Sequence, residues 1–333
     1  MTFSHDCWYM LGWAHEFTSN ELLARRVAGL PVVAYRNTDG NAVAMEDRCC
    51  HRHAPLSRGV LEPDGLRCGY HGLKFGHDGQ CIDVPGQERI PNTLKVRTYP
   101  TCEHKDMVFV WLGDEGALQD VDLPDFYWHD SDEWCRRPML THVEANYQLI
   151  VDNVLDFSHL AWLHDNSFGT PSASSAKGKV TRDGDDVRIS YFYESTPITP
   201  FHQKLTGYVG EVDREHTINW RYPGIVWVSN RYWEAGKSDQ RPIFDVRSTH
   251  FLTPETDTST HYFWTHANRA DCGSDEQMDF TYELVTHAFQ GEDLPMIEAQ
   301  QANIDTESRM RSVYWDEAPA LARQITARKL EAN

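Results

Sequence analysis

The sequence predicts an α+β protein of two domains. The first, over residues 1–115, is all-β; the second, over 116–333, is an antiparallel sheet with helices packed on it. Three observations predict this. The first 115 or so residues are short apolar runs separated by turn residues. Beyond them, strand-like runs follow one another in series instead of alternating with helices, which excludes a doubly wound parallel sheet. A chain of 333 residues also exceeds one typical domain.

Taken in order, Pro31-Val32-Val33-Ala34-Tyr35-Arg36 and Ala42-Val43-Ala44-Met45-Glu46 flank Asn37-Thr38-Asp39-Gly40, and an Asp-Gly turn between apolar runs predicts a hairpin. Lys74 to Cys81 repeats that arrangement, and Met107–Leu112 is a buried-strand pattern that closes the first domain. Gly113 to Pro124 is acidic, contains Gly and lacks periodicity, and reads as the linker. Residues 144–163 carry neither Pro nor Gly and have helical periodicity. Strands are expected at 187–194, 216–222, 225–233, 244–252 and 260–268. In the first of these, Val187, Ile189, Tyr191 and Tyr193 alternate with Arg188, Ser190, Phe192 and Glu194, the period of two of a strand. Helices are expected at about 275–290, 293–310 and 317–331.

Composition narrows the function. Hydrophobic residues make up 40 %, enough for real cores, and no run of 18 apolar residues spans a membrane. The start, MTFSHDCWYM, has no basic patch before an apolar stretch, so a cytoplasmic protein with no membrane partner is expected. Eight Cys at irregular spacing do not make a disulfide framework, and Cys7, Cys50, Cys81, Cys102, Cys135 and Cys272 read as reduced structural thiols. The net charge of −19 argues against nucleic acid as a partner. It also means that an anionic substrate needs a local positive or hydrogen-bonding site. No phosphate-cradling Gly loop is present, so NAD and flavin are not expected to bind this chain.

Cys49-x-His51 and Cys68-x-x-His71, separated by sixteen residues, are the most specific signal. Two thiolates and two imidazoles can hold a Rieske-type [2Fe–2S] cluster, in which two Cys bind one iron and two His the other. The same residue types can make a Cys₂His₂ zinc site. A zinc finger keeps its Cys in one pair and its His in another, whereas here each pair is mixed, which suits a cluster because each loop then supplies both irons.

A second constellation comprises Asn153, Asp156, His159 and His164. The first three are spaced i, i+3, i+6 and share a helical stripe. His159 and His164 are five apart, so they meet at one metal only if the helix distorts or ends before His164; Asp165 to Pro171 makes such an ending. Two His and a carboxylate on one face of an iron form the facial triad of non-haem Fe(II) oxygenases. Asp293, ahead of a helix, is the chosen carboxylate; its alternative reading is a charge favourable to the helix dipole. His-x₄-His alone is a weak signal in a chain with 17 His.

With these residues in view, the chain resembles the oxygenase component of Rieske non-haem iron oxygenases, in the branch of vanillate O-demethylase, dicamba O-demethylase and toluenesulfonate methyl-monooxygenase. The resemblance runs through Trp8-Tyr9, Cys49-x-His51-Arg52-x-Ala54-Pro55-Leu56 and Cys68-x-Tyr70-His71-Gly72-Leu73-x-Phe75. It continues through Asn146-Tyr147, Asp152-Asn153-x-x-Asp156-x-x-His159-x₄-His164, Thr249-His250-x-Leu252-Thr253-Pro254-Glu255-Thr256 and Glu292-Asp293. It implies a Rieske domain followed by a helix-grip-like catalytic domain. It further implies a cluster on Cys49, Cys68, His51 and His71, and a mononuclear Fe(II) on His159, His164 and Asp293. Asp156 would hydrogen-bond an iron-binding His and, across a subunit interface, His71 of a neighbour, within a head-to-tail homotrimer. Electrons would come from NADH through a separate flavin and iron–sulfur reductase.

Pro is common inside both ligand loops of the family; this chain has Cys50 and Gly69 there, which are expected mainly to loosen the loops, and because the second loop offers Cys50 no disulfide partner a lower-potential, oxygenase-type cluster is expected. The expected reaction inserts oxygen from O₂ into a C–H bond of a small aromatic substrate. O-demethylation of a methoxy group leads, with methyl hydroxylation and N-demethylation as alternatives. His250 is a candidate donor to substrate or a satisfied core histidine, and Asn153 lines the iron or packs the helix. Two rival classes remain, an electron-transfer protein that uses only the cluster and a zinc-stabilised binding protein.

Overall fold

The computed structural model describes residues 3–19, 21–118, 123–164, 169, 177–269, 275–305, 308 and 310–331. Its contacts divide the chain into two units, Met1–Pro124 with Thr253–Asp257, and Asp125–Leu252 with Thr258–Ala332.

The first unit is all-β, from short strands. In chain order these are β1 (Trp8–Trp13), β2 (Leu23–Val27), β3 (Leu30–Arg36), β4 (Ala42–Glu46), β5 (Val60–Glu62) and β6 (Gly65–Arg67). They continue with β7 (Lys74–Phe75), β8 (Cys81–Asp83), β9 (Thr98–Tyr99), β10 (Thr101–His104) and β11 (Met107–Trp111). Their sheets are ordered β1-β11-β10, β2-β3-β4-β9 and β5-β6-β7-β8. The β3–β4 hairpin forms where the Asn-Thr-Asp-Gly segment predicts it, with Ala34 opposite Ala44. Asn37 Oδ1 accepts from the amides of Asp39 and Asn41 at 3.1 and 2.9 Å, supplying the turn with side-chain hydrogen bonds. The β5–β8 sheet carries the two ligand loops. Their floor is an apolar cluster that includes Tyr35, Met45, Leu56, Leu66, Phe75 and Cys81.

In the second unit one antiparallel sheet runs in the order β12-β18-β17-β16-β15-β14-β13. The strands are β12 (Trp134–Val143), β13 (Lys179–Asp183), β14 (Asp186–Pro197), β15 (Glu211–Arg221), β16 (Ile225–Glu234), β17 (Phe244–Thr256) and β18 (Ser259–Arg269). The helices are α1 (Tyr147–Leu155), α2 (Pro200–Thr206), α3 (Asp275–Thr286), α4 (Leu294–Asn303) and α5 (Glu317–Glu331). On β14, Val187, Ile189 and Tyr191 are buried while Arg188 and Phe192 are exposed, as the alternation predicts. β12 was not anticipated because Pro138 interrupts its run; the strand lies at the end of the sheet order, where a missing N–H is tolerated. β13 and α2 were likewise not anticipated.

Two expected helices are corrected. The segment 144–163 is not one helix: α1 ends at Leu155, and Asp156 takes extended dihedrals of φ −119° and ψ 106°. Its carboxylate then caps a 3₁₀ turn over Phe157–Ala161. Serving as that N-cap takes Asp156 off the helical stripe expected for it with Asn153 and His159. The second correction concerns 275–290 and 293–310, which join through a π-helical turn at His287–Asp293, while α4 stops at Asn303. Pro295 lacks an N–H in the first turn of α4, a place where the ladder is readily rearranged. Residues 165–168 and 170–171, expected to end the iron-binding helix, lie outside the described residues, as does Cys272.

α1 is held from both sides. Its apolar face buries Leu149, Ile150, Val151, Val154 and Leu155, each a gain of about 1.5–3 kcal/mol for a fully buried aliphatic side chain. On the other side, Arg323 of α5 donates from Nε to both oxygens of Asp152, at 3.1 and 2.9 Å. The helix that precedes His159 and His164 is thereby fixed.

Candidate metal centres

The two ligand loops of the first unit are built alike. Cys49 donates its N–H to the Ala54 carbonyl and accepts from His53 N–H, both at 2.9 Å. Cys68 does the same with Leu73 at 2.8 Å and Gly72 at 3.1 Å. The offsets are identical, and His53 (φ 57°) and Gly72 (φ 75°) both take left-handed backbone to close the turn. Cys49 and Cys68, each 2 % exposed, point inward, while His51 and His71 lie at the surface with ring centroids 4.6 Å apart. Two thiols inside and two imidazoles outside is a donor set that fits a Rieske-type [2Fe–2S] group.

The electrostatics fit a cationic guest. Burial, with a further contribution from Cys68, pushes the Cys49 thiol up to about 11, so two thiolates side by side are unfavourable without a cation between them. Burial, then His51 and Arg52, lowers the His71 pKa, which favours the neutral ring that binds metal. Cys50 and Cys81 are free thiols. The expectation that Gly69 loosens its loop is corrected: a Cβ there would meet the Arg58 carbonyl oxygen at 2.5 Å. Gly69 is what lets the two loops approach.

The second unit brings together His159, His164 and Asp293, whose ligand atoms all lie within 4.8 Å of one another. His159 comes from the 3₁₀ turn, His164 from the segment beyond it and Asp293 from the end of the π-helical turn. Asp293 Oδ1 lies 3.5 Å from His159 Nε2 and 3.2 Å from His164 Nε2. Each ring is oriented from its far nitrogen. His159 Nδ1 donates to the Asp156 carbonyl oxygen at 2.5 Å, and His164 Nδ1 donates to Glu292 Oε2 at 2.6 Å. With Nδ1 occupied, both Nε2 lone pairs face Asp293, the tautomer a metal needs. Asn153 completes the frame, donating from Nδ2 to Asp293 Oδ1 at 3.0 Å. Burial lowers the His159 pKa against the opposing Asp293 charge. At His164 burial also acts downward, but Asp293 and Glu292 outweigh it and the pKa rises.

Within this chain Asp156 differs from its expected role. It meets His159 through its backbone carbonyl, while its carboxylate accepts from Ser158 N–H at 2.8 Å and Ser158 Oγ–H at 2.9 Å. His250 is 1 % exposed and both its nitrogens are engaged, Nδ1 with Tyr262 Oη at 2.7 Å and Nε2 with Ser248 Oγ at 2.9 Å. Burial takes its pKa down to about 3, so the ring is neutral.

The triad opens on a cavity with about 1090 Å³ of space outside the protein atoms, its open mouth included. Its lining includes Phe157, Leu160, Val228, Val246 and Phe289 together with Arg214, His202, His216, Asn230 and His266. Sequence reasoning missed these polar residues and the part played by Glu292. Arg214 and His216 share one parity on β15 with Val212, Ile218 and Trp220, but parity alone does not say which face of a strand meets a cavity. No described helix is long and apolar enough to cross a membrane.

Comparison with known proteins gives concordant matches over both units. Residues 7–100 match the Rieske [2Fe-2S] domain, and residues 143–332 match the vanillate O-demethylase oxygenase C-terminal domain. The iron–sulfur subunit of the toluene-4-sulfonate monooxygenase system of Comamonas testosteroni is 38 % identical over 307 residues, covering 90 % of this chain and 88 % of that protein. The crystal structure of dicamba monooxygenase bound to 3,6-dichlorosalicylic acid superposes with a TM-score of 0.91 at 28 % identity, covering 100 % of this chain and 99 % of that one. Dicamba monooxygenase with non-heme iron and dicamba matches at 0.84 and 27 % identity, with the same coverage.

Proposed function

Since the chain belongs to the oxygenase components of Rieske oxygenase systems that carry the vanillate O-demethylase C-terminal domain, we propose that it is a monooxygenase oxidising a methoxy or methyl carbon of a small aromatic compound. The observation that carries this reading is the His159–His164–Asp293 triad opening on an aromatic-walled cavity. O-demethylation is the first reading. Hydroxylation of an aryl methyl group is the second, favoured by the 38 % identity to the toluene-4-sulfonate subunit.

Cys49, Cys68, His51 and His71 would hold a [2Fe–2S] cluster, and His159, His164 and Asp293 a mononuclear Fe(II). When bound, these supply one-electron storage and O₂ activation. The chain's own residues do the positioning. Glu292 and the Asp156 carbonyl hold the imidazoles, Asn153 holds Asp293, and Phe157, Leu160 and Phe289 keep water from the oxidised carbon. The cavity wall decides which carbon faces the triad.

The remaining partners belong to the same reading: O₂, and electrons from NADH through a separate reductase, in keeping with a chain that carries no nucleotide loop. A cytoplasmic homotrimer would join Asp156 of one protomer to His71 of the next. Tyr70, 63 % exposed beside His71, and Trp162, 77 % exposed between His159 and His164, supply apolar surface that such contacts would cover. The test is a panel of methoxy- and methyl-arenes with a reductase and NADH, scored for formaldehyde against hydroxymethyl product. Reduction of the cluster with no product from any arene would leave an electron carrier as the better account.

A further inference from the structure

We propose that Ser248 is a substrate-facing hydrogen-bond donor of the cavity, and that it takes a neutral acceptor oxygen, such as a carbonyl, on the aromatic substrate. This deepens the proposed function and rests on it. Three residues, Tyr262, His250 and Ser248, form a hydrogen-bonded chain that starts behind the cavity wall and ends at the cavity. Val246, Ser248 and His250 alternate with their neighbours on β17, share one face of the strand and line the cavity. Tyr262 of β18 is fully buried and is not among the lining residues. Phe289 packs edge-on against both rings of the chain, its centroid 5.6 Å from that of His250 and 6.1 Å from that of Tyr262.

The direction of the chain follows from its protons. Among the described residues, Tyr262 Oη has one hydrogen-bond partner, His250 Nδ1 at 2.7 Å, and Ser248 Oγ has one, Nε2 of the same ring at 2.9 Å. Burial and then the Asp293 charge keep the Tyr262 phenol protonated. Burial and then His266 hold the His250 pKa at about 3, so the ring is neutral, with one N–H and one acceptor nitrogen. If Nδ1 carried the proton, it would donate to Tyr262 Oη, and the buried phenol O–H would have no acceptor, at the full desolvation cost of a hydroxyl. In the other direction Tyr262 Oη–H donates to Nδ1, and Nε2–H donates to Ser248 Oγ. Every buried donor is then used. The proton left over belongs to Ser248, the member that faces the cavity.

The chemistry of the chain names the class of its ligand. Phenol, imidazole and hydroxyl are all neutral, so Ser248 offers a dipole with no charge behind it. Such a donor matches a carbonyl or ether oxygen, whereas one neutral hydroxyl does not offset the desolvation of a charged group. His250 spends both ring nitrogens inside the chain. It is a positioning residue, whose tautomer, fixed by Tyr262, turns the Ser248 hydroxyl outward.

The test pairs each of 3- and 4-methylacetophenone with the isopropyltoluene of the same substitution pattern, which keeps the shape and lacks the acceptor. Affinities are measured by calorimetry on the iron-loaded holoenzyme without reductase, so that nothing turns over. Ser248→Ala is expected to lower the ketone-to-hydrocarbon affinity ratio roughly two- to tenfold for at least one pattern, the worth of one neutral hydrogen bond. A neutron structure of the wild-type holoenzyme reads the direction of the chain independently of any variant. It is expected to show deuterium on His250 Nε2, and on Tyr262 Oη directed at Nδ1. Unchanged ratios in Ser248→Ala for both patterns, or deuterium on Nδ1, overturn the proposal. Because binding and protonation are read without turnover, failure of the Ser248 assignment stays distinct from failure of the oxygenase reading, which product formation from the methyl- and methoxy-arenes reports.

Discussion

Glu292 accepts a hydrogen bond from Nδ1 of His164 at 2.6 Å, while Asp293, the next residue in the chain, lies 3.2 Å from Nε2 of the same ring. Two consecutive carboxylates thus grip one imidazole from both sides. In an ordinary α-helix neighbouring side chains diverge by about 100°. Here the pair closes a π-helical turn, the kind of helix irregularity often found at functional sites.

Glu292→Gln keeps the size of the side chain and removes its charge. Iron(II) affinity should fall about ten- to a hundredfold, the usual cost of losing a partner behind a ligating histidine. Iron titration of the purified variant checks this, with the visible spectrum of the cluster as control. An unchanged dissociation constant would show that His164 is oriented by packing alone.

With His164 as a ligand, as proposed, it sets the pH dependence of iron binding. Its pKa is raised above 6.5 by Asp293 and Glu292, so a proton competes with metal at pH values where an ordinary histidine is already neutral. In the iron-free protein, that raised pKa adds stability that is full below the unfolded value near 6.5 and is lost as pH rises through the folded one. Iron affinity should therefore weaken already above pH 6.5 as pH falls, and Glu292→Gln should move the onset lower. Titrations between about pH 6 and 8.5 decide it; onset at the same pH in both proteins would count against the assignment.

Asn153→Leu removes the donor to Asp293 Oδ1 and leaves a buried carboxylate short of a partner. The hydrogen bond to a charged group is worth about 1.5–3 kcal/mol, so product formation should fall roughly tenfold or more. Measuring iron content alongside turnover separates loss of metal from misorientation of a ligand that still binds.

Asp156→Asn keeps an acceptor for Ser158 and preserves the 3₁₀ cap, whereas Asp156→Ala loses it at about 0.5–2 kcal/mol of stability. If Asp156 also links protomers, the Asn variant should bind iron and accept electrons into its cluster yet form almost no product. Full single-turnover yield from that variant would remove Asp156 from any inter-subunit role.

Gly69→Ala would place a Cβ 2.5 Å from the Arg58 carbonyl oxygen, where backbone rather than a flexible side chain must move. Overpacking of this kind costs about 1–3 kcal/mol, concentrated here between the ligand loops. A lower melting temperature and reduced cluster absorbance per protein are expected. A wild-type melt would mean that the loops part at no cost.

What was legible in the sequence was local. Cys49-x-His51 and Cys68-x-x-His71 each sit within one turn of chain, so spacing alone reports which donors share a loop, and Asn37 to Gly40 names its hairpin for the same reason. The alternation of Val187, Ile189 and Tyr191 likewise showed one strand and its buried side. The site in the second unit was legible only in part. His159 and His164 read as too far apart on a continuous helix, and the break that unites them depends on Asp156 capping a new turn. Asp293 is distant in sequence, and the π-helical turn that aims it has no periodic signature.

The sequence by itself determined an α+β fold and offered the candidate donor residues, because those depend on short-range pattern and residue type. Tertiary structure alone decided that Glu292 stands behind His164, that Asn153 holds Asp293, and that Arg214 and His216 line the cavity. Each of those depends on which face of an element meets which neighbour. Pairing and packing across the whole sheet set that relation, and local spacing does not encode it.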